Sequence, residues 1–263
     1  QALTVRREFG ARVGLGRGER ESVDLLMSGA ESAARANVEQ LRESGAQHLA
    51  YAWAHVLHEQ QDGTVWEQPD DWIDDGQTLT LGGREIVAVA TPGHTQGHVI
   101  FVDHDAGVLY SGDHILSATT PVIGIEPATS TRPLANTLDS LRKVLALPDL
   151  RLLSAHGPVL PSSHARAREL LAHHERRLEL CRAAVHTGKA SAYEVALALA
   201  WTKNEQRLTD LDEIGAVMAT LQTRAYLELL STTGALERHV DTEVVLYVAA
   251  STNPSIPRAD QGA

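Results

Sequence analysis

The chain has 263 residues, 43% of them hydrophobic, with 34 acidic and 23 basic side chains and a formal net charge of −11. A chain of that length can bury a sizeable core. No run approaches the roughly 18 consecutive apolar residues of a membrane span, and the start does not read as a signal peptide, so a soluble cytoplasmic protein is expected. The acidic excess argues against a large nucleic-acid surface, since phosphate binding draws on clustered Lys and Arg. The single Cys181 excludes an internal disulfide and a cysteine-based zinc cluster, and reads as a small buried hydrophobe.

In chain order, a short helix is predicted over 3–9 and a strand over 12–15. Residues 31–44 carry the polar-rich 3.6-residue period of an exposed amphipathic helix. The Asp-rich stretch 70–76 reads as a turn-rich surface connection. Strands over 78–81 and 84–90 form a hairpin around Gly82-Gly83, and 98–103 pairs with 108–111 across Asp105-Ala106-Gly107. A helix over 134–147 precedes a buried strand over 151–154. From Pro161 the pattern turns to long helices over 165–186, 192–201 and 210–230, then one alternating strand over 242–248. The Pro- and Ser-containing tail 251–263 reads as disordered.

Three short motifs stand at the ends of predicted strands: Thr91-Pro92-Gly93-His94-Thr95-Gln96-Gly97-His98, Ser111-Gly112-Asp113-His114 and Ser154-Ala155-His156-Gly157-Pro158. Each offers imidazole or carboxylate beside a turn-forming Gly or Pro, the chemistry of a borderline or hard metal ion. Taken singly, each has a plain structural reading, because a histidine after Pro-Gly is usually a satisfied loop residue.

In wording and order the three motifs resemble the later motifs of the metallo-β-lactamase superfamily, on the side of glyoxalase II and the β-lactamase-like protein 2 group. The resemblance implies an α+β fold, an αββα sandwich over residues 1–160, followed by a winged-helix-like helical domain over 161–250. The superfamily's H-x-H-x-D-H motif occurs nowhere in the sequence, so the chain reads as a member whose core is N-terminally incomplete and which holds about half of the dinuclear site. The resemblance further implies that His94 serves one ion and His156 the other, with Asp113 bridging both. The implied cofactor is zinc, two ions in the full family site, with iron or manganese as alternatives. A metal-activated hydroxide would then attack a thioester, ester or phosphodiester.

His98 and His114 read as supporting or substrate-facing residues, and Thr119-Thr120-Pro121-Val122-Ile123-Gly124 as a substrate wall. His55 and His58 share a helical spacing without a third ligand and read as surface or half-buried, and His173-His174 fit either the C-terminal domain's contact with the core or a solvated helix face. The expected partner is a small or acyl substrate. Residues 189–250 hold five basic side chains (Lys189, Lys203, Arg207, Arg224, Arg238) against nine acidic ones, which disfavours nucleic acid and the endoribonuclease alternative. The remaining alternative is a non-catalytic binding or scaffold protein on the same fold.

Overall fold

The computed structural model describes residues 2–61, 66–185, 188–202 and 204–250. The elements run α1 (Ala2–Phe9), β1 (Gly14–Gly16), α2 (Arg20–Met27), α3 (Ala30–Glu43), α4 (Gln47–Gln61), β2 (Asp71–Ile73), β3 (Thr78–Leu81), β4 (Arg84–Ala90), β5 (Val99–Asp103), β6 (Val108–Gly112), α5 (Pro133–Leu145), β7 (Arg151–Ser154) and α6 (Ser163–Val185). They continue with β8 (Ala190–Ser191), α7 (Ala192–Ala198), α8 (Glu213–Thr232), β9 (Leu236–Asp241) and β10 (Val244–Ala249). The chain divides into two units, Gln1–Val38 with Trp53–His174 and Glu39–Ala52 with Glu175–Ala263. The division falls inside α3, α4 and α6 instead of in a loop.

The first unit is built on a five-stranded sheet of order β3-β4-β5-β6-β7. The register places Ile100 and Val102 of β5 on the same face as Val89 of β4, and Ile86 and Ala88 of β4 on the other; all five are buried, as a sheet covered on both faces requires. Gly82 and Gly83 make the β3–β4 turn with φ of +59° and +79°, the left-handed pair that a two-residue hairpin needs. The β5–β6 turn is held by Asp103, whose buried carboxylate accepts from Ala106 N–H at 2.9 Å and from Arg84 at 2.7 Å. Helix α5 begins with Pro at its first position and buries Leu134, Leu138, Leu141 and Val144, a helical stripe that links β6 to the parallel β7.

The Asp-rich stretch corrects the sequence reading: Asp71–Ile73 is a strand, paired in parallel with β1. Its carboxylates serve as cross-chain partners. Asp71 takes a bidentate contact from Arg12, Asp74 binds Arg17, and Asp70 accepts Val13 N–H at 2.7 Å. Those partners lie 57 to 59 residues away, so locally the acids look like turn formers. Helices α2 and α4 were not expected either.

In the second unit, α7 starts with a capping box in which Ser191 Oγ accepts Glu194 N–H and Glu194 accepts Ser191 N–H. Asp212 caps α8 by accepting Gly215 N–H at 2.7 Å. The single strand expected over 242–248 is instead half of a hairpin, β9 pairing with β10, and β8 closes the other side of β10. Strand β9 is easily missed because only Leu236 of it is buried while Glu237, Arg238 and His239 face outward. The expected tail and the expected helix end at His186 lie outside the described residues. No helix among the described residues is long and apolar enough to cross a membrane.

Candidate functional site

Strands β4 and β6 are both antiparallel to β5, and β7 is parallel to β6. All three therefore end at one edge of the sheet, and from those ends the chain runs into His94, Asp113 and His156. Strand β6 leaves the sheet through a register shift between Tyr110 and Gly112. Gly112 has φ +51°, and a Cβ there would stand 2.7 Å from His98 Nε2; glycine lets the strand turn against that ring.

His98 is engaged at both nitrogens. Asp113 N–H donates to Nε2 at 3.1 Å, so the ring proton sits on Nδ1 and is donated to Thr91 Oγ1 at 2.9 Å. Burial, followed by the neighbouring His94 ring, pushes its pKa down to about 4 against the pull of Asp113, which keeps the imidazole neutral. His98 thus orients the Asp113 backbone and has no lone pair left for an ion.

His94 is held differently. Its Nδ1 donates to the Val122 carbonyl at 2.8 Å, which leaves Nε2 bare. Metal-ligating histidines commonly use this arrangement, the second nitrogen fixing the ring through a backbone carbonyl. The segment 122–128 lies along the His94 loop through further bonds: Gly124 N–H to Gly93 O at 3.0 Å, Gln96 N–H to Glu126 Oε2 at 2.9 Å, and Gln96 Nε2 to Ala128 O at 2.5 Å. The substrate wall expected over Thr119 to Gly124 is therefore laced to the loop that carries His94.

On the other side, His156 Nε2 stands 3.6 Å from Asp113 Oδ1, with His156 77% exposed and Asp113 36%. The His156 carbonyl accepts from Ser154 Oγ at 2.8 Å and from Ser117 Oγ at 3.2 Å. Arg166 on α6 donates to the carbonyls of Leu116 and Thr119 at 2.8 and 2.7 Å. His114, by contrast, is buried and neither ring nitrogen makes a well-formed hydrogen bond. Burial, then the His98 ring, pushes its pKa down to about 3, so it is a neutral ring inside the fold. His174, which the sequence leaves open between a contact with the core and a solvated face, is buried, and His55 and His58 are exposed on α4. Cys181 is buried, its thiol pushed up to about 12 by desolvation.

Two imidazoles and a carboxylate are the right donors for zinc or a similar divalent ion, and the His94 ring is fixed through Nδ1 with no hydrogen bond to Nε2 among the described residues. They fit in kind and fall short in number, because among the described residues no three His, Cys, Asp or Glu side chains converge on one point.

Sequence reasoning missed Glu126, Ser117 and Arg166, and gave Ser154 no role beyond its place in the His156 motif. Glu126 lies between Ile125 and Pro127 with no motif around it, and its partners Ser22 and Gln96 are 104 and 30 residues away. An acidic residue flanked by apolar ones was the only signal available.

The family model of the metallo-beta-lactamase superfamily matches residues 24–156. The chain is 31% identical to atrochrysone carboxyl ACP thioesterase AacuM of Aspergillus aculeatus, over 45% of this chain and 36% of that protein. It is 30% identical to a beta-lactamase-like protein 2 homolog of Caenorhabditis elegans, over 40% and 33% respectively. It is 34% identical to hydroxyacylglutathione hydrolase of Aeromonas salmonicida, over 31% and 29%. The matches thus span about a third of the length of these curated relatives. Among solved structures, the metallo-beta-lactamase family protein TTHA1429 from Thermus thermophilus superposes with a TM-score of 0.73 at 27% identity, covering 91% of this chain and 72% of that one.

Proposed function

Because this chain belongs to the metallo-beta-lactamase superfamily, we propose that it is a metal-dependent hydrolase of small acyl thioesters or esters, with His94, Asp113 and His156 as its share of the ligands. The observation that carries this reading is the His94 ring, fixed by Val122 with Nε2 bare, at the same sheet edge as the Asp113–His156 pair. The names of two relatives, a thioesterase and a hydroxyacylglutathione hydrolase, favour an acyl substrate over a phosphodiester.

Zinc suits these donors best, with iron or manganese as alternatives. When bound, such an ion supplies Lewis acidity toward a carbonyl oxygen and acidifies a water. The protein's own part is positional. Val122 keeps the His94 proton on Nδ1, and His98 holds the backbone of Asp113, so the carboxylate does not swing with its loop. The Ser117 and Ser154 hydroxyls fasten the turn that carries His156. Thr119 to Gly124 forms one wall for the acyl group, steadied by Arg166.

For the second unit we propose a winged-helix-like arrangement, supported by the order β8-α7-α8-β9-β10 with β10 between β8 and β9. Of the five basic residues over 189–250, Arg224 is paired with Glu43 at 2.5 Å and Arg238 with Glu228 at 3.5 Å. With nine acidic residues against five basic ones over 189–250, the charge balance does not favour a phosphate backbone. The reading is tested by titrating zinc into the chain and assaying a simple acyl thioester. Zinc-dependent turnover that vanishes in Asp113→Ala is the expected result. Unchanged turnover in that variant would overturn the assignment, and neither binding nor turnover in the parent would favour the scaffold reading.

A further inference from the structure

Four hydrogen bonds join the segment 122–128 to the His94 loop. Three of them end on backbone carbonyls, while the fourth ends on the side chain of Glu126. That residue is only 4% exposed. Its Oε2 accepts both Gln96 N–H at 2.9 Å and Ser22 Oγ–H at 3.4 Å, and Ser22 Oγ accepts Ala128 N–H at 3.2 Å. Three segments therefore meet at one carboxyl: α2, the His94 loop and the segment 122–128, hereafter the mouth loop.

The charged groups facing it are Glu19, just before α2, and Glu21 in its first turn. The His94 loop presents only neutral groups there, Gln96 N–H and the Thr95 hydroxyl, which is itself donated to Glu19. A buried carboxyl facing carboxylates is costly to ionise, and the hydrolytic reading has no use for this one.

We propose that Glu126 is a positioning residue: a proton-operated latch that closes the mouth loop onto the His94 loop and thereby sets the direction of the His94 ring. The consequence for His94 rests on the metal-site reading above; the latch itself does not.

Burial, with Glu19 and Glu21 adding to it, raises the Glu126 pKa to about 7 from 4.5, against the opposing bonds from Gln96 and Ser22. The closed latch therefore holds its proton more tightly than an open, solvated one. Its advantage is fully present below pH ~4.5, declines by up to about tenfold per pH unit as pH rises toward about 7, and levels off above.

Amide hydrogen exchange read by NMR on the metal-free chain tests this. The protection factor of Gln96 N–H, corrected for intrinsic exchange, is expected to fall by about tenfold or more between pH 5 and 7. In Glu126→Gln, which keeps a carbonyl acceptor and cannot ionise, the profile is expected to be flat while the dispersed spectrum of the fold is retained. The Glu126 side-chain carbon in the parent chain is expected to titrate near pH 7. A matching pH profile in both proteins, or a Glu126 midpoint near the ordinary 4.5, would overturn the latch. The readout needs no metal and no turnover, so failure of the hydrolase reading would leave this result intact and distinguishable.

Discussion

The two sides of the candidate site are held in different ways. His94 sits on a loop laced to the segment 122–128, with its ring proton committed to Val122 and its neighbour Gly93 pressed against α5. His156 sits on an exposed turn whose bonds are to its backbone: its carbonyl accepts two serine hydroxyls, and Ala155 N–H donates to Gly112 O at 3.1 Å, while its ring faces Asp113 at 3.6 Å. Between them Asp113 is fixed through its backbone by His98, while its carboxylate stays partly open. One side is thus pre-organised and the other adaptable, and a ligand set split in this way can form around an ion only by closing the looser half.

The largest effect is expected at the residue both sides share. Asp113→Ala should lower thioester turnover by at least about 10³-fold and leave thermal unfolding within about 2 °C of the parent, because the lost side chain is exposed enough to cost little stability. Gly93→Ala tests the rigid side. A Cβ there would fall 2.2 Å from Thr137 Oγ1 and 2.7 Å from Thr137 Cα, at a φ of +146°. A loss of about 3 kcal/mol is expected in denaturant unfolding; a loss below about 1 kcal/mol would show that the His94 loop yields more easily than its bonds suggest.

Smaller again is Thr91→Val, which strips the acceptor from the His98 Nδ1–H and should cost about 1–2 kcal/mol. Its sharper readout is the His98 tautomer, visible in the ring nitrogen shifts: proton transfer to Nε2 would cost Asp113 N–H its acceptor. The smallest change is expected from Ser117→Ala on the exposed side, no more than about 0.5 kcal/mol. Its measurable trace should be a weaker zinc affinity. If Ser117→Ala destabilised the fold as much as Gly93→Ala, the contrast between the two sides would fail.

Much of this arrangement can be traced to particular residues. Helix and strand periods place β3 to β7, α5 and α6 because their apolar residues recur locally, and Gly82-Gly83 declares its turn. His94, Asp113 and His156 stand out because each follows an apolar run. The short strands β1 and β2 are hidden, since Arg12 and Arg17 find Asp71 and Asp74 only after the chain has folded back. The same reason hides β9, whose outward polar residues carry no alternation strong enough to read.

The amino-acid sequence alone settled the kind of donors, their order along the chain and the family to which they point, because those depend on residue identity and short spacing. Only the tertiary structure decided which histidine has a free nitrogen. His94 and His98 are four residues apart in one motif, yet Val122 leaves the first a bare Nε2 while Thr91 and Asp113 occupy both nitrogens of the second. It also brought Glu126, a carboxyl without any motif, against Ser22 and Gln96. A hydrogen bond is set by distance and direction in space, and between residues 28 to 104 positions apart no local pattern encodes it.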